Sequence, residues 1–206
     1  METKTFWDNW IQGWIISRQI EKVQPIENGY CFALGDGRRE FEWLLFSDDN
    51  LNEVLPRVSN RDYLCVSDLK AIPQGWKHSM TADMMICEKL PKQAVTLPEN
   101  CTIECEESEN RVVMRVFNAQ NHKVCEGQAG FYNGFVVYDY IGTTGEYRRQ
   151  GFGTLIMALL TEQATKRGIS QGLLCASEMG KQLYLKLGWQ SIGQYVRVVR
   201  EDYTRE

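Results

Sequence analysis

The segment Arg148–Gly153 constrains the fold most, because it joins two stretches of opposite character. Before it, Phe135–Thr144 is an extended apolar run, and after it Thr154–Lys166 has the apolar spacing of a helix. A strand, a glycine turn and a helix therefore follow one another. The first-turn amides of a helix lack intrahelical acceptors and carry the positive end of its dipole. This order predicts an anion-binding turn, to which Arg148 and Arg149 add positive charge.

The rest of the C-terminal half continues this alternation of strands and helices. A short apolar strand is predicted at Gly172–Ser177, a glycine-capped helix at Lys181–Gly188 and a last β-rich run at Tyr195–Val199. Upstream, short polar turns separate four more strand candidates, which are Thr102–Glu106, Arg111–Phe117, Val124–Tyr132 and Phe135–Thr144. The pattern predicts an α/β (α+β) fold, with a mixed, mostly antiparallel sheet flanked by helices.

Two motifs of this half resemble the GNAT superfamily of N-acetyltransferases. Arg148-x-x-Gly151-x-Gly153 is similar to that family's acetyl-coenzyme A pyrophosphate loop. Leu183–Trp189 is similar to its LYxKLGF segment, with tryptophan in place of phenylalanine. The resemblance covers residues 125–199 and implies a GNAT-like C-terminal half. It also implies direct transfer of an acetyl group from acetyl-coenzyme A to an amine of a small molecule or a protein.

The resemblance further implies which residues hold the cofactor. The loop and the start of the helix would receive the phosphates, and the end of the preceding strand would pair with the pantetheine arm as an added strand. The implied residues are Ile141, Thr143, Arg148, Arg149, Gln150, Gly151, Phe152, Gly153, Thr154 and Ser177. Ser177 stands where the family often has an asparagine. The backbone amide of Thr144 is expected to act beside that of Thr143.

Tyr184 is the candidate catalytic acid. It resembles the family's tyrosine that donates a proton to the departing coenzyme A thiolate, and its alternative is a core tyrosine on an amphipathic helix. A protein that merely binds coenzyme A has no need of this residue. Tyr184 therefore separates the leading function, an acetyltransferase, from the alternative, a non-catalytic coenzyme A sensor or interaction module.

Asp139 is the candidate base that removes a proton from the acceptor amine. Strand alternation places it on one face with Val137, Ile141 and Thr143, and a carboxylate facing a half-dry cleft has a raised pKa. Its alternatives are an exposed strand residue or a carboxylate paired with an arginine. Glu146, in the loop, is the second choice.

The N-terminal half is predicted as an additional α+β half. Aromatic residues recur at helical spacing over Phe6–Ile15, which favours a helix packed in the core or, alternatively, a partner surface. Strands are predicted at Tyr30–Leu34, Phe41–Phe46, Tyr63–Val66 and Met84–Cys87, and a short helix at Asp49–Val58. Residues 91–98, bounded by two prolines, are predicted as a linker between domains 1–92 and 98–206.

One departure from the family concerns the acceptor side. The family normally has two helices between its first and second strands, whereas here Ile103 and Arg111 leave no room for them. Either the N-terminal half supplies the missing wall or the acceptor site is open. We favour the first, with residues 1–92 as an acceptor-side lid.

Composition excludes several other classes. A net charge of −4 without a Lys/Arg-rich run argues against nucleic-acid partners. No apolar stretch has membrane-spanning length and the start lacks a signal peptide's layout, so we expect a cytoplasmic protein without a membrane partner. Seven cysteines and two histidines offer only the Cys101–Cys105 pair at ligand spacing, so no metal is expected. A nucleotide-hydrolysing P-loop would need Gly-Lys-Ser/Thr, which is missing after Gly153.

Overall fold

The structure is a computed structural model that describes residues 1–92 and 96–204. Its elements in chain order are α1 (Thr3–Arg18), β1 (Lys22–Ile26), β2 (Gly29–Ala33), β3 (Phe41–Leu45), α2 (Leu51–Val54), β4 (Tyr63–Ser67), β5 (Trp76–Cys87), β6 (Thr102–Glu107), β7 (Arg111–Phe117), β8 (Lys123–Tyr132), β9 (Phe135–Thr143), α3 (Phe152–Lys166), β10 (Gln171–Ser177), α4 (Glu178–Lys186) and β11 (Gln190–Arg200). Short 3-10 turns lie at Leu55–Arg57 and Gly145–Tyr147. Part of the predicted linker, residues 93–95, lies outside the described residues.

The chain forms two compact units that are interleaved in sequence. Unit 1 consists of Met1–Gln19, Met85–Cys175 and Gly180–Gln190, and unit 2 consists of Ile20–Met84, Ala176–Met179 and Ser191–Glu206. Helix α1, which the sequence groups with residues 1–92, thus belongs to the same unit as the loop Arg148–Gly153. The role of residues 1–92 as an acceptor-side lid stays a prediction.

Each unit contains a mixed sheet. In unit 1 the strand order is β10-β9-β8-β7-β6, in which β9 and β10 are parallel and the other pairs antiparallel. In unit 2 the order is β1-β2-β3-β4-β11, in which β3 and β4 are parallel. The side chains of Trp43, Leu45, Leu64, Val66 and Val198 belong to the apolar core of this unit. The predicted α+β class with a mostly antiparallel sheet is confirmed.

The sheet of unit 1 carries α3 on one face and α1 on the other. A Cβ added to Gly127 of β8 would lie 3.0 Å from Ile156 and 3.1 Å from Leu160 of α3. A Cβ added to Gly130 would lie 2.0 Å from the carbonyl oxygen of Gly13 in α1. Because strand residues alternate between faces, two glycines three positions apart face opposite sides.

Aromatic packing explains why α1 lies on this sheet. Phe6 and Trp7 are fully buried, and Trp10 and Trp14 are 7% and 4% exposed. The indoles of Trp10 and Trp14 stack with their ring centroids 5.3 Å apart. Of the two alternatives for this aromatic face, core packing is confirmed. As expected, β6 and β7 form a hairpin with no helices between them, and α1 covers the face opposite α3.

Several predicted boundaries were wrong where side chains gave little pattern. The strand Lys22–Ile26 was not predicted, because its residues are exposed or half-buried and include a proline. The exposed polar start of β5, at residues 77–79, hid the first part of a strand that begins at Trp76. The helix predicted at 49–58 is a short helix followed by a 3-10 turn. In the described residues, no helix combines the length and apolar character that crossing a bilayer requires.

The contact between α1 and β8 generates a stability prediction. Gly130→Ala would drive a methyl group into the α1 backbone, which cannot rotate away as a side chain can, so we expect unfolding to require about 2–3 kcal/mol less free energy. Chemical denaturation measures this difference. Gly142→Ala in β9 is the matched control, because its new Cβ meets no atom within 4 Å. We expect the control to stay within about 0.5 kcal/mol of the native chain. Equal stability of the two variants would contradict the close packing of α1.

Candidate functional site

The candidate site begins where β9 and β10 separate. Their parallel pairing runs from Phe135 opposite Gln171 to Tyr138 opposite Leu174 and ends there. Strand β9 continues beyond this point to Thr143, paired with β8 on its other side. The last residues of β9 therefore have one edge that β10 does not cover.

A β-bulge lies in this part of β9. Glu126 of β8 is paired with Gly142 of β9, and Gln128 is paired with Asp139. Two residues of β9, Tyr140 and Ile141, therefore lie opposite one residue of β8, Gly127. Tyr140 has a φ of 56°, in the left-handed region that few residues other than glycine adopt. A bulge bends the strand and locally breaks its hydrogen-bond ladder.

The bulge reverses the facing of the side chains that follow it. Ile141 lies on the α3 face, since its Cδ1 is 2.7 Å from a Cβ placed at Gly127. Val137 and Asp139 lie on the α1 face, against Gly13 and Arg18. The prediction that Asp139 and Ile141 share a face is therefore wrong, because the extra residue shifts the alternation by one.

Backbone hydrogen bonds show which amides at the end of β9 are engaged by β8. The amide of Thr144 donates to the carbonyl of Val124 at 2.9 Å, so its expected role toward a cofactor is wrong. Hydrogen-bonded and non-hydrogen-bonded pairs alternate in antiparallel sheets, and Thr143 is opposite Cys125. The amide of Thr143 therefore points away from β8, toward the uncovered edge. Its carbonyl accepts a hydrogen bond from Nε of Arg148 at 3.3 Å.

The loop after β9 turns sharply before α3. Arg149 and Gly151 both have left-handed backbones, with φ values of 60° and 89°. Tyr147 supports the turn: its hydroxyl accepts a hydrogen bond from Asn118 at 2.8 Å, and its ring packs edge-on against Phe152 with the centroids 5.9 Å apart. Helix α3 begins at Phe152, two residues before the predicted start.

The loop presents a run of backbone amides without acceptors. From Arg149 to Thr154, within the part of the chain that the structure describes, no backbone amide donates to a protein acceptor; the first that does is Leu155, to Gly151 at 3.0 Å. Successive amides in such turns form concavities that bind anions, and a helix N-terminus adds its dipole. The strand, turn and helix that the sequence predicts around Gly151 are therefore present, and anion binding there stays a prediction.

The two loop glycines have different reasons to be glycine. Gly151 needs its left-handed conformation, and a Cβ there would meet no atom within 4 Å. Gly153 allows α3 to approach α4, since its Cβ would lie 2.9 Å from Cδ2 of Leu183. Gly151 is therefore the position at which the loop's backbone conformation is set.

Charge at the loop is positive and not neutralised. Arg148, Arg149 and Gln150 are exposed. Neither arginine forms an ion pair with any residue of the described ranges 1–92 and 96–204. The side-chain amide of Gln150 donates to the backbone carbonyl of Glu146 at 2.9 Å, and Glu146 is itself exposed.

Asp139, the predicted base, is held in a network of hydrogen bonds. Arg18 donates from Nε to Oδ2 at 2.7 Å and from Nη2 to Oδ1 at 2.9 Å, a two-pronged ion pair. Oδ2 also accepts from Gln128 at 2.9 Å and from the hydroxyl of Ser17 at 3.2 Å. The geometry corresponds to the alternative of a carboxylate paired with an arginine.

Tyr184 is in the core of unit 1. It is 7% exposed, and its ring is tilted against Trp189 with the centroids 6.2 Å apart. Burial, and to a smaller extent the negative charge of Asp139, raises the pKa of its phenol above the usual value. Tyr184 therefore keeps its proton throughout the neutral range. Ser177, the last residue of β10, is exposed and belongs to unit 2.

Three residues of this network were not predicted from the sequence. Ser17, Arg18 and Gln128 surround Asp139, and two of them come from the end of a helix more than a hundred positions away. A pairing of this kind depends on where α1 docks, which no local pattern reveals. Among the residues described, no cluster of three or more His, Cys, Asp or Glu side chains could hold a metal ion.

Comparison with known proteins relates this geometry to a fold. No protein-family model and no curated protein matches the sequence. A GCN5-related N-acetyltransferase from Kribbella flavida is similar in structure, with a TM-score of 0.65 and 13% identity over 97% of this chain and 95% of that one. A GCN5-related N-acetyltransferase-like protein from Streptococcus suis has a TM-score of 0.62 and 12% identity over 84% of each chain.

A third similar structure is a tandem GNAT protein from the clavulanic acid biosynthesis pathway. Its TM-score is 0.55, with 11% identity over 86% of this chain and 80% of that one. Identities this low show a shared fold and leave activity open. The separated strands, the bulge and the glycine loop thus occur in a chain that has the GNAT N-acetyltransferase fold.

Proposed function

We propose that this protein is an acetyl-coenzyme A-dependent N-acetyltransferase that transfers the acetyl group directly to an amine of a small molecule or a protein. One observation carries the proposal: the run of amides from Arg149 to Thr154, none with a protein acceptor in the described chain, beside two arginines without ion pairs. A pyrophosphate supplies the oxygens and the negative charge that such a loop lacks. The GNAT fold supports the same choice of ligand.

The same geometry indicates which residues contact the phosphates and the pantetheine arm of the cofactor. The Gly151 backbone admits the phosphates, while the amides of Phe152, Gly153 and Thr154 and the side chain of Gln150 complete the cradle. The pantetheine arm extends along the uncovered edge of β9 and pairs with the backbone of Ile141 and Thr143 as an added strand would. Ser177, at the end of β10, remains a predicted contact of the cofactor.

Transfer proceeds when the amine nitrogen attacks the thioester carbonyl carbon and the carbon–sulfur bond breaks. The leaving thiolate takes a proton from the Tyr184 phenol. Coenzyme A's thiol has an ordinary pKa near ~8.5, below that of the phenol, so this donation requires direct contact between the two groups. Before the attack, the proton of the acceptor ammonium passes to water, because Asp139 already accepts four hydrogen bonds. After the transfer, the phenolate of Tyr184 takes a proton back from water, which restores the phenol.

The second candidate function is a coenzyme A-binding module without catalysis. Two observations favour it: the predicted base is engaged by Arg18, and the Tyr184 side chain is almost completely buried. Such a module needs the loop and neither proton-transfer residue. Turnover with release of free thiol, screened over amines and peptides, separates the two functions.

The loop predicts a loss of coenzyme A affinity that a general loss of stability cannot cause. Gly151→Ala should raise the dissociation constant of coenzyme A at least tenfold, about 1.4 kcal/mol by calorimetry, because alanine resists the left-handed turn that aligns the amides. Gly168→Ala is the matched control at the other end of α3: its φ is 73°, and its Cβ also meets no atom within 4 Å. Both variants should lose similar stability. Equal affinity of the two for coenzyme A would remove the loop from the proposal.

Tyr184 predicts a loss of turnover without a loss of packing. Tyr184→Phe should reduce kcat about tenfold to a hundredfold and leave the KM for acetyl-coenzyme A nearly unchanged, as expected for a proton given only in the transition state. Steady-state kinetics with thiol detection measures both.

Tyr138→Phe is the control, because Tyr138 also packs against Trp189, at 5.3 Å between centroids, and bonds to Thr161 at 2.7 Å. Losing that bond should cost about 1 kcal/mol of stability and spare turnover. If Tyr184→Phe keeps full activity, the phenol is only a core residue.

A further inference from the structure

We propose that Arg18, the last residue of α1, is a positioning residue that holds the β9 bulge in the shape required by the cofactor's thioester arm. This inference rests on the proposed function, because it concerns the same edge of β9. In this inference Asp139 is the ion-pair partner of Arg18 and not the general base of the reaction.

The first support is the geometry of the ion pair. Nε and Nη2 of Arg18 meet the two oxygens of Asp139 at 2.7 and 2.9 Å, so the planar guanidinium fixes both the position and the orientation of the carboxylate. The Asp139 side chain is 11% exposed, which limits competition from solvent. Asp139 directly precedes Tyr140, the residue at which the strand bulges.

The second support is the contact between the guanidinium and the bulge itself. Cζ of Arg18 lies 5.7 Å from the ring centroid of Tyr140, and 5.2 Å from that of Trp14. Distances of this size are typical of cation–π attraction. Tyr140 is 48% exposed as a residue, so burial does little to hold its left-handed backbone. Arg18 thus contacts the strained residue and the one before it.

The third support is that the end of α1 is itself immobilised. Trp14 is 4% exposed and Ser17 is fully buried. The Ser17 carbonyl accepts a hydrogen bond from Nε of Arg111 at 2.8 Å, and its hydroxyl accepts one from Gln128 at 3.1 Å. Gln128 is also the register partner of Asp139 across β8 and β9. A rigid helix end can therefore impose a conformation on β9.

The consequence reaches the uncovered edge of β9. The amide of Thr143 points toward that edge only while the bulge supplies its extra residue, because the alternation of the strand would otherwise be reversed. Arg18 therefore contributes to cofactor affinity and alignment without touching the cofactor. Through Arg18, the packing of α1 on the sheet also affects how well the edge of β9 binds the cofactor.

The test compares two arginine-to-lysine changes at the ends of two different helices, α1 and α3. Arg18→Lys keeps the positive charge but loses the pair of hydrogen bonds to the two oxygens of Asp139. We expect hydrogen exchange of the amides of Gly142 and Thr144, both directed toward β8, to accelerate at least tenfold when followed by NMR in the protein alone. We also expect the KM for acetyl-coenzyme A to rise about tenfold. Arg167→Lys is the control, since Arg167, directly after α3, pairs instead with the carboxylate of Glu107 at 2.6 Å. It should change neither quantity.

A rescue experiment separates positioning from general destabilisation. Glycine adopts a left-handed backbone at little cost. If Arg18 acts through Tyr140, adding Tyr140→Gly to Arg18→Lys should restore the KM toward the native value, whereas a merely weakened fold would not recover. Asp139→Asn serves if Arg18→Lys does not fold. It should raise the KM and leave the shape of the pH–rate profile unchanged, whereas loss of the rising limb would show that Asp139 is the base and overturn the inference.

The outcomes for the function and for the inference are distinct. A native protein that binds no coenzyme A in calorimetry would refute the proposed function, and the exchange rates would still test the role of Arg18 in the bulge. Native binding together with unchanged exchange and unchanged KM in Arg18→Lys would overturn the inference alone.

Discussion

The separation of β9 from β10 after Tyr138 is the constraint on which the site depends. Parallel strands that stay paired satisfy each other's backbone groups, so a site for an extended ligand needs them to part while β9 remains fixed on its other side. The bulge opposite Gly127 and the antiparallel pairing with β8 meet that need. The loop from Arg149 to Thr154 presents a second set of free backbone donors, which ends at the first turn of α3. The two sets of donors are separated by the turn between them, in which the amides of Thr144, Tyr147 and Arg148 are bonded within the protein.

Helix α1 gives this arrangement its rigidity from the opposite face. Its backbone approaches β8 closely because Gly130 lacks a side chain, and it approaches Val137 of β9 closely because Gly13 lacks one. That approach brings Arg18 within hydrogen-bond distance of Asp139, beside the bulge. The first residues of the chain thus become part of the unit that carries the loop. The hairpin between β6 and β7 leaves no room for inserted helices. The sheet face opposite α3 is covered instead by α1, which comes from a distant part of the sequence.

Much of this could be predicted from the sequence, wherever local chemistry decides the structure. The strand, glycine turn and helix around Gly151 follow from apolar spacing and turn residues, and so do the strands of the C-terminal half. The bulge was not predictable, because Tyr140 is an ordinary strand residue with no local sign of a positive φ. The role of Asp139 could not be predicted, because its partner Arg18 reaches it only after α1 has packed on the sheet. Thr144 was misassigned since hydrogen-bond direction depends on register, which alternation alone does not fix.

The central claim is that the backbone amides between the end of β9 and the first turn of α3 bind coenzyme A. Titration of coenzyme A into isotope-labelled protein, followed by NMR of assigned backbone amides, tests it most directly. The account predicts that the largest shifts fall on Thr143 and on Arg149 to Thr154, saturate together and give one dissociation constant. Saturating coenzyme A that leaves these amides unmoved, or that shifts only amides of unit 2, would contradict it.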